Sequence, residues 1–528
     1  MVSNQVWSTI TKYAPTPYNS SNNSVVSWIK IAMTRLQDLP NEILTTIFTH
    51  LSDISHYGIF NVTLVNKHFN QLASPLRVRH WNDEGDYGYY DGEAPCPPIS
   101  SLALELLRHP EYRLQVKTLS FSYFQNSGDR DAARVHTKHD IENLQMLAWA
   151  AEEVVPTLAE STYLCARILE DSDDAIAVLV LAWATNLTSL SVTIPDFDPT
   201  PGYDEGPLIL RFAKQLALRF DSKDLKPSAP LPLAKLRELE FRHESIESII
   251  GLKYLTPFLY LPNLKNLKTY RLGDQEYNDL EDSVQNYIKD KYCMPFPKGT
   301  SSIEYITIKE TTLTSDGLSD LLGSCSKLKY FHLHFPFDLD EDNKRNWTTL
   351  AKSLVRQAAS LEELDLCVDN GDVEWVGDAV DDGAGGFKPI DFEDCYRQLT
   401  NLKALRVPMP QLSGHYHWQR LGSLELRPVR LPESLQRLRL LDINLWSSAR
   451  LLSDHEIAPF LDFVLNVVKE TGPQGRLKNL QILDCSKAIW DDPRKRTLQE
   501  IKDVAEERGV NILLDSRKSD RKGPIIWV

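Results

Sequence analysis

Apolar residues return along most of this chain in one short figure, apolar-x-x-apolar-x-apolar. It appears at Val116-x-x-Leu119-x-Phe121, Leu187-x-x-Leu190-x-Val192 and Leu236-x-x-Leu239-x-Phe241. It continues at Leu267-x-x-Tyr270-x-Leu272, Ile303-x-x-Ile306-x-Ile308, Leu328-x-x-Phe331-x-Leu333 and Leu361-x-x-Leu364-x-Leu366. Leu402-x-x-Leu405-x-Val407, Leu435-x-x-Leu438-x-Leu440 and a degenerate Leu480-x-x-Leu483-x-Cys485 follow, and Val510 to Leu514 reads as a last strand. The closing positions of each figure alternate, as residues on one face of a strand do. Between the figures the apolar spacing becomes helical, over 141–154, 162–184, 208–220, 315–322, 347–359, 455–470 and 497–508. One such figure is weak evidence, since any buried strand or helix can show it. Ten in series, with helices between, predict strand–helix units stacked in a row. A conventional α/β or all-helical domain is the competing reading, favoured by the long interval from 121 to 187.

The spacing of the figures is uneven, from 25 residues (306 to 331) to 71 (119 to 190). The array resembles leucine-rich repeats, whose units run about 20–29 residues with L-x-x-L-x-L at the strand, in an irregular form with insertions. That resemblance implies an α/β solenoid, with parallel strands lining a concave face and helices between them. The asparagine usual just after the strand is missing: Asp369 and Pro336 stand in the matching places. A regular asparagine ladder is therefore not expected. Prolines 195, 199, 201, 207, 227, 230 and 232 leave open whether the solenoid is continuous near 200–230.

A different pattern stands near the front, Leu39-Pro40-Asn41-Glu42-Ile43-Leu44-Thr45-Thr46-Ile47-Phe48-Thr49-His50-Leu51. Residues 43, 44, 47, 48 and 51 make one apolar helix face. Pro40 suits a first turn, and Glu42 suits the positive end of the helix dipole. Leu64, Val65, Phe69 and Leu72, within Leu64-Val65-Asn66-Lys67-His68-Phe69-Asn70-Gln71-Leu72-Ala73, make a second apolar face. Together the two halves, over roughly residues 36–80, resemble the F-box, a small helical module that docks onto the Skp-type adaptor of cullin–RING ubiquitin ligases. The resemblance implies that Leu39, Pro40, Ile43, Leu44, Ile47, Leu51, Val65 and Phe69 face the adaptor or form the module's core. The segment from Ser52 to Thr63, which holds Gly58, is slightly longer than usual.

Composition narrows the picture further. Net charge is −15 over 528 residues, which argues against a nucleic-acid binder. Seven scattered cysteines with no C-x-x-C suit a reducing compartment, neither a disulfide framework nor a zinc site. The longest apolar run, 175–184, is far short of a membrane span, and no secretory signal opens the chain. Cytoplasm or nucleus is the expected location. The expected order is a disordered segment (1–34), an F-box-like helical module (35–80), an acidic Gly/Pro/Tyr linker (81–98) and a leucine-rich-repeat-like solenoid (99–515). The solenoid carries an acidic loop insertion at 368–395, and a basic-then-apolar tail (516–528) closes the chain.

The motifs of enzymes are missing: no Gly-rich phosphate loop, G-x-S-x-G, H-E-x-x-H or metal-spaced Cys/His set stands out. The pairs His332/His334 and His415/His417 lack a visible third ligand. No catalytic residue, cofactor or metal is assigned. The leucine-rich resemblance puts the x positions on the concave, target-binding surface; these include Ser120, Ser122, Glu240, Arg242, His332, His334, Asp365, Arg406 and Arg439. The two resemblances together imply a substrate receptor of a cullin–RING ligase, with the adaptor and a target protein as partners and neither nucleic acid nor membrane among them. An interaction scaffold acting outside any ligase fits the same sequence.

Overall fold

The computed structural model describes residues 36–82, 98–121, 138–154, 161–195, 206–222, 231–243, 248–274, 282–335, 347–368, 395–408, 431–441, 454–486 and 495–515. The expected disordered start, the body of the linker, the acidic insertion, the tail, Ser122 and the His415/His417 pair lie outside them. The chain divides into two compact units, Met1–His80 and Trp81–Val528.

The described part of the first unit is built on three helices, α1 (Asn41–Ile54), α2 (His56–Thr63) and α3 (Lys67–Ala73). Each begins where the sequence supplies an acceptor. Pro40 is the N-cap of α1, one place ahead of the first turn, and its carbonyl accepts from the Ile43 and Leu44 N–H groups, both at 3.0 Å. The Ser55 hydroxyl accepts from Gly58 N–H at 3.0 Å and starts α2. Asn66 Oδ1 accepts from Phe69 N–H at 2.8 Å and starts α3. The expected second apolar face is therefore divided: Leu64 and Val65 lie in the turn before α3, not on it. The extra length from Ser52 to Thr63 is taken up by the end of α1 and all of α2. At Gly58 the corner is tight, because a Cβ would stand 3.0 Å from Leu51 Cδ1.

The second unit is organised on one twelve-stranded sheet. Its strands are β1 (His80–Asn82), β2 (Thr118–Phe121), β3 (Ser189–Ile194), β4 (Glu238–His243), β6 (Asn266–Tyr270), β8 (Tyr305–Lys309), β9 (Tyr330–Phe335), β10 (Glu363–Val368), β11 (Ala404–Pro408), β12 (Arg437–Leu441), β13 (Ile482–Ser486) and β14 (Asn511–Asp515), in chain order. The short β5 (Ile250–Gly251) and β7 (Leu272–Gly273) pair separately. From β2 to β14 every neighbouring pair is parallel, and β3 pairs directly with β4, so the proline-rich stretch leaves the ladder unbroken. Helices separate most strands, including α4 (Ile99–Arg108), α5 (Lys138–Val154), α6 (Ser161–Leu169), α7 (Asp173–Trp183) and α8 (Leu208–Asp221). Strand-and-helix units stacked in sequence order make an α/β solenoid.

Register explains the repeated figure. Leu119, Leu190, Leu239, Leu267, Ile306, Phe331, Leu364, Leu405, Leu438, Leu483 and Ile512 are aligned across the sheet. Two residues on, Phe121, Val192, Phe241, Thr269, Ile308, Leu333 and Leu366 form a second column. All eleven first-column residues but Ile512, and all seven of the second, are buried. Burying one such apolar side chain contributes about 1.5–3 kcal/mol. One expected figure is out of step: the true unit is Leu264-x-x-Leu267-x-Thr269. Leu264 and Thr269 are buried, whereas Tyr270 turns outward and Leu272 belongs to the small sheet. The interior threonine had disguised the repeat.

Two other expectations change. The apolar stretch 162–184 is two helices, α6 and α7, broken where Asp171 takes φ 58°. And an asparagine ladder does exist, on the other side of the strands. Asn186, Asn263, Asn401 and Asn479 each stand just before a first anchor (Leu187, Leu264, Leu402, Leu480). Their Nδ2 groups donate to the carbonyls of Leu114, Ala234, Ala359 and Glu433, each two residues before the anchor of the preceding unit. Ser302 and Ser434 hold the same position and donate to Leu264 O and Leu402 O, both at 2.8 Å. The interrepeat tie has moved from the end of the strand to its start.

A buried carboxylate ties helix to helix. Asp174, inside α7, accepts from the N–H groups of Leu208 and Ile209 (3.1 Å for the second) and so caps α8 across the stack. Burial pushes its carboxyl up to about 6.

Candidate functional site

Two surfaces present themselves, one in each unit. In the first, Leu44, Phe48, Ile59, Phe69, Ala73 and Leu76 close a core, with Phe48 and Phe69 edge to face at 5.2 Å. Leu36, Leu39, Ile47, Val62 and Leu72 pack at its border. A core this small leaves other apolar groups in water: Ile43 (48% exposed), Ile54 (72%), Phe60 (44%), Leu64 (69%) and Val65 (36%). The residues named from the sequence thus divide. Pro40, Ile43 and Val65 are exposed; Leu39, Ile47 and Leu51 are half-buried; Leu44 and Phe69 are interior and hold the helices together. Sequence reasoning did not assign Ile54, Phe60 and Leu64 to a surface. Phe60 carries the Arg77 guanidinium over its ring at 5.4 Å. Asp53, near the end of α1, is bridged by Arg79 at 2.7 Å and His80 at 2.8 Å. Burial opposes its ionisation, but the two hydrogen bonds outweigh that and hold its carboxyl below the usual range.

In the second unit the site is the sheet face opposite the buried columns. Its middle row reads Ser120, Ser191, Glu240, Lys268, Thr307, His332, Asp365, Arg406, Arg439 and Asp484, one residue per strand. The sequence placed Glu240, Arg242, His332, His334, Asp365, Arg406 and Arg439 on this surface, and all seven are partly buried there. Three of them meet: Asp365 holds His332 Nδ1 at 2.8 Å and Arg406 at 3.4 Å. Glu240 and Arg242 pair with each other along β4, Nε to Oε1 at 2.8 Å. His334 lies beside His332, ring centroids 6.3 Å apart.

The register slip concealed the rest. With Leu264 as anchor, Lys268 and Tyr270 become outward positions. Tyr270 has the Arg242 guanidinium 5.1 Å and the Lys309 ammonium 5.2 Å from its ring centroid. Tyr305 and Tyr330 follow on the next strands at 6.4 Å, and Tyr330 stacks on His332 at 6.4 Å. Aromatic and arginine side chains in such a band are the residues enriched where proteins bind proteins. Among the described residues no group of three His, Cys, Asp or Glu could hold a metal, and no helix is long and apolar enough to cross a membrane. Cys293, Cys325 and Cys395 are buried, and burial pushes each thiol up to about 12.

The architecture is that of an interaction protein, a small helical module ahead of a strand–helix solenoid. Residues 36–81 match the family model of the F-box domain, so the chain carries an F-box domain, and an irregular α/β solenoid follows it in the sequence. No curated protein matches the chain significantly. Among solved structures, the leucine-rich repeat-containing protein LegL7 from Legionella pneumophila is similar at 14% identity, over 65% of this chain and 78% of that one, with a TM-score of 0.27. A likeness that loose carries no argument, and the solenoid rests on its own strand register.

Proposed function

We propose that this chain is a substrate receptor of a cullin–RING ubiquitin ligase. The F-box domain docks on the Skp-type adaptor, and the open face of the solenoid sheet binds the target protein. The ligase's E2 then modifies a lysine of the target, whose effective concentration is raised by the tether. No residue of this chain acts chemically on the target in this reading, and no cofactor is required. The cytoplasm and nucleus are where such a partner set resides.

The observation that supports the reading is the exposed apolar set on the F-box domain. Ile43 and Val65 stand in water beside a closed core, and a partner surface covering them would gain about 25 cal/mol per Å² of apolar area removed from water. Pro40 sets the entry to α1 beside them.

Co-purification with the adaptor tests it, comparing wild type with Ile43→Asp/Val65→Asp. Both positions are exposed, so the variant folds with an unchanged circular-dichroism melt. It loses the adaptor, because burying two aspartates without partners costs several kcal/mol. Adaptor binding that survives the double substitution would sink the docking surface. Adaptor binding without cullin recruitment would favour a scaffold acting outside a ligase.

A further inference from the structure

Cations on this sheet are matched by carboxylates almost everywhere. Glu304 holds Lys265 and Lys329, both at 2.6 Å, and Glu362 holds Lys403 at 2.6 Å. Glu363 reaches Arg437 at 3.3 Å, two strands away over the small Ala404. Asp365 serves His332 and Arg406. One place departs from this rule. On β4, β6 and β8 the outward positions bring together Arg242, Lys268 and Lys309 with two carboxylates, Glu240, which is engaged by Arg242, and Glu238, which accepts from Asn266 Nδ2 at 3.3 Å. Lys268 is exposed, and Lys309 donates to the Tyr270 hydroxyl at 3.3 Å. Among the described residues neither lysine has a carboxylate within ion-pair distance.

Cations gathered on one sheet face repel one another through space, although the register sets Lys268 directly between Glu240 and Thr307 and Lys309 opposite Tyr270. Here they stand on a chain of net charge −15, so general composition does not account for them. Tyr270 shares its ring between two of the cations, and Tyr305 and Tyr330 extend the aromatic band on the next strands. We propose that this patch receives an acidic segment of the target protein, its carboxylates seated among Arg242, Lys268 and Lys309 and its adjoining side chains against Tyr305 and Tyr330. The proposal rests on the open sheet face being the target-binding surface. Three cations on a strongly acidic chain do not suit a long polyanion, whose phosphates would meet repulsion beyond the patch.

The test is fluorescence anisotropy on the full chain bound to its adaptor. The probes are a short fluorescein-labelled peptide alternating Glu with Tyr, its Gln counterpart, its phosphoserine counterpart and a single-stranded oligonucleotide. The Glu peptide binds, and its affinity falls as salt rises. The Gln peptide binds at least about tenfold more weakly, since carboxylate–cation complementarity is removed. Lys268→Glu and Lys309→Glu each weaken the Glu peptide by about tenfold, whereas Lys502→Glu, an equal change of net charge on an exposed helix position, leaves it within about twofold. Equal binding of the Gln peptide, equal effects of Lys268→Glu and Lys502→Glu, a preference for the phosphopeptide or oligonucleotide, or no binding at all would each overturn the proposal. Unchanged melts of the variants show that they fold. Adaptor co-purification on the same samples fails only if the receptor reading fails, so the two failures are distinguishable.

Discussion

The F-box domain and the solenoid place their apolar residues by opposite rules. The solenoid sheet sends its apolar columns to the helix side and keeps ions, histidines and tyrosines on the open face. The F-box domain closes a core of six buried residues and leaves Ile43, Ile54, Phe60, Leu64 and Val65 in water. The first arrangement suits a surface that selects partners by charge and hydrogen bonds, with an affinity that salt weakens. The second suits one that binds by burying area, with little response to salt. Stability is distributed differently as well. A small module has few interior contacts to lose, whereas a solenoid draws on nearest-neighbour units along its length.

The sharpest test of that difference removes the same side chain from each. Leu44→Ala and Leu364→Ala each delete a fully interior leucine, at a cost of about 2–5 kcal/mol. In the F-box domain that loss exceeds the margin of a small unit. Leu44→Ala abolishes adaptor binding while the main calorimetric transition, which belongs to the solenoid, stays in place. Leu364→Ala lowers that transition and leaves adaptor binding intact. If both variants shifted one common transition, the two units would melt together and the contrast would fail.

Next in size is the buried tie between α7 and α8. Asp174→Ala leaves the Leu208 and Ile209 N–H groups without their acceptor, each at a cost of about 1–3 kcal/mol. The native carboxyl titrates near 6, above its ordinary 3.8, because burial disfavours the charged form. The folded state therefore binds the proton more tightly than the unfolded chain. This group's contribution to stability is greatest at acid pH, declines as pH rises from about 3.8 to about 6, and is level above that. Carboxyl carbon NMR of the folded protein reads the midpoint directly, and a midpoint near 4 would show the site to be wet.

How much of this was legible depended on whether a local pattern carried the signal. The buried columns were legible because leucine, isoleucine and valine repeat with strand alternation, and nine of the ten figures were read in register. The tenth slipped because Thr269 occupies an interior place, and with it Lys268 and Tyr270 were lost from the outward face. In the F-box domain the helical faces were plain, but they could not say that Leu44 and Phe69 turn inward while Leu64 and Val65 turn out. That depends on where Asn66 starts α3, a capping choice made by one side chain. The tie from Asp174 to Leu208 spans the rest of α7, strand β3 and a proline-rich stretch, and no local period records it.

The asparagine ladder gives a smaller effect with a distinctive additivity. Asn263→Ala or Asn479→Ala each removes one donor to a carbonyl of the preceding unit, worth about 1 kcal/mol. The two sites are far apart in the stack, so a double variant loses the sum. Replacing an asparagine without that tie, such as Asn511, which contributes only strand backbone to the ladder, leaves the melt unchanged. Additive losses for the first pair and none for the third make the ladder a property of the repeat. Equal small losses at all three positions would reduce it to a composition effect.

The smallest effect belongs to the charged row along the strand starts. Glu304 sits between Lys265 and Lys329, and their hydrogen bonds hold its carboxyl below the ordinary 4.5. A lowered folded value means that the bridge's contribution is fully present above 4.5 and is lost as pH falls through the folded value. Glu304→Gln therefore changes the melting temperature slightly at neutral pH and low salt, and not at all once pH is below the folded value or salt is high. Lys268→Gln gives the control, since among the described residues that lysine makes no ion pair and faces Glu240 and Thr307 across the sheet. Its removal leaves the melting temperature unchanged while it weakens the acidic peptide. A lysine that adds nothing to the free protein and strengthens the complex is one placed for a partner. If Lys268→Gln lowered the melting temperature as Glu304→Gln does, the two lysine environments would be alike and the open face would lose its distinction.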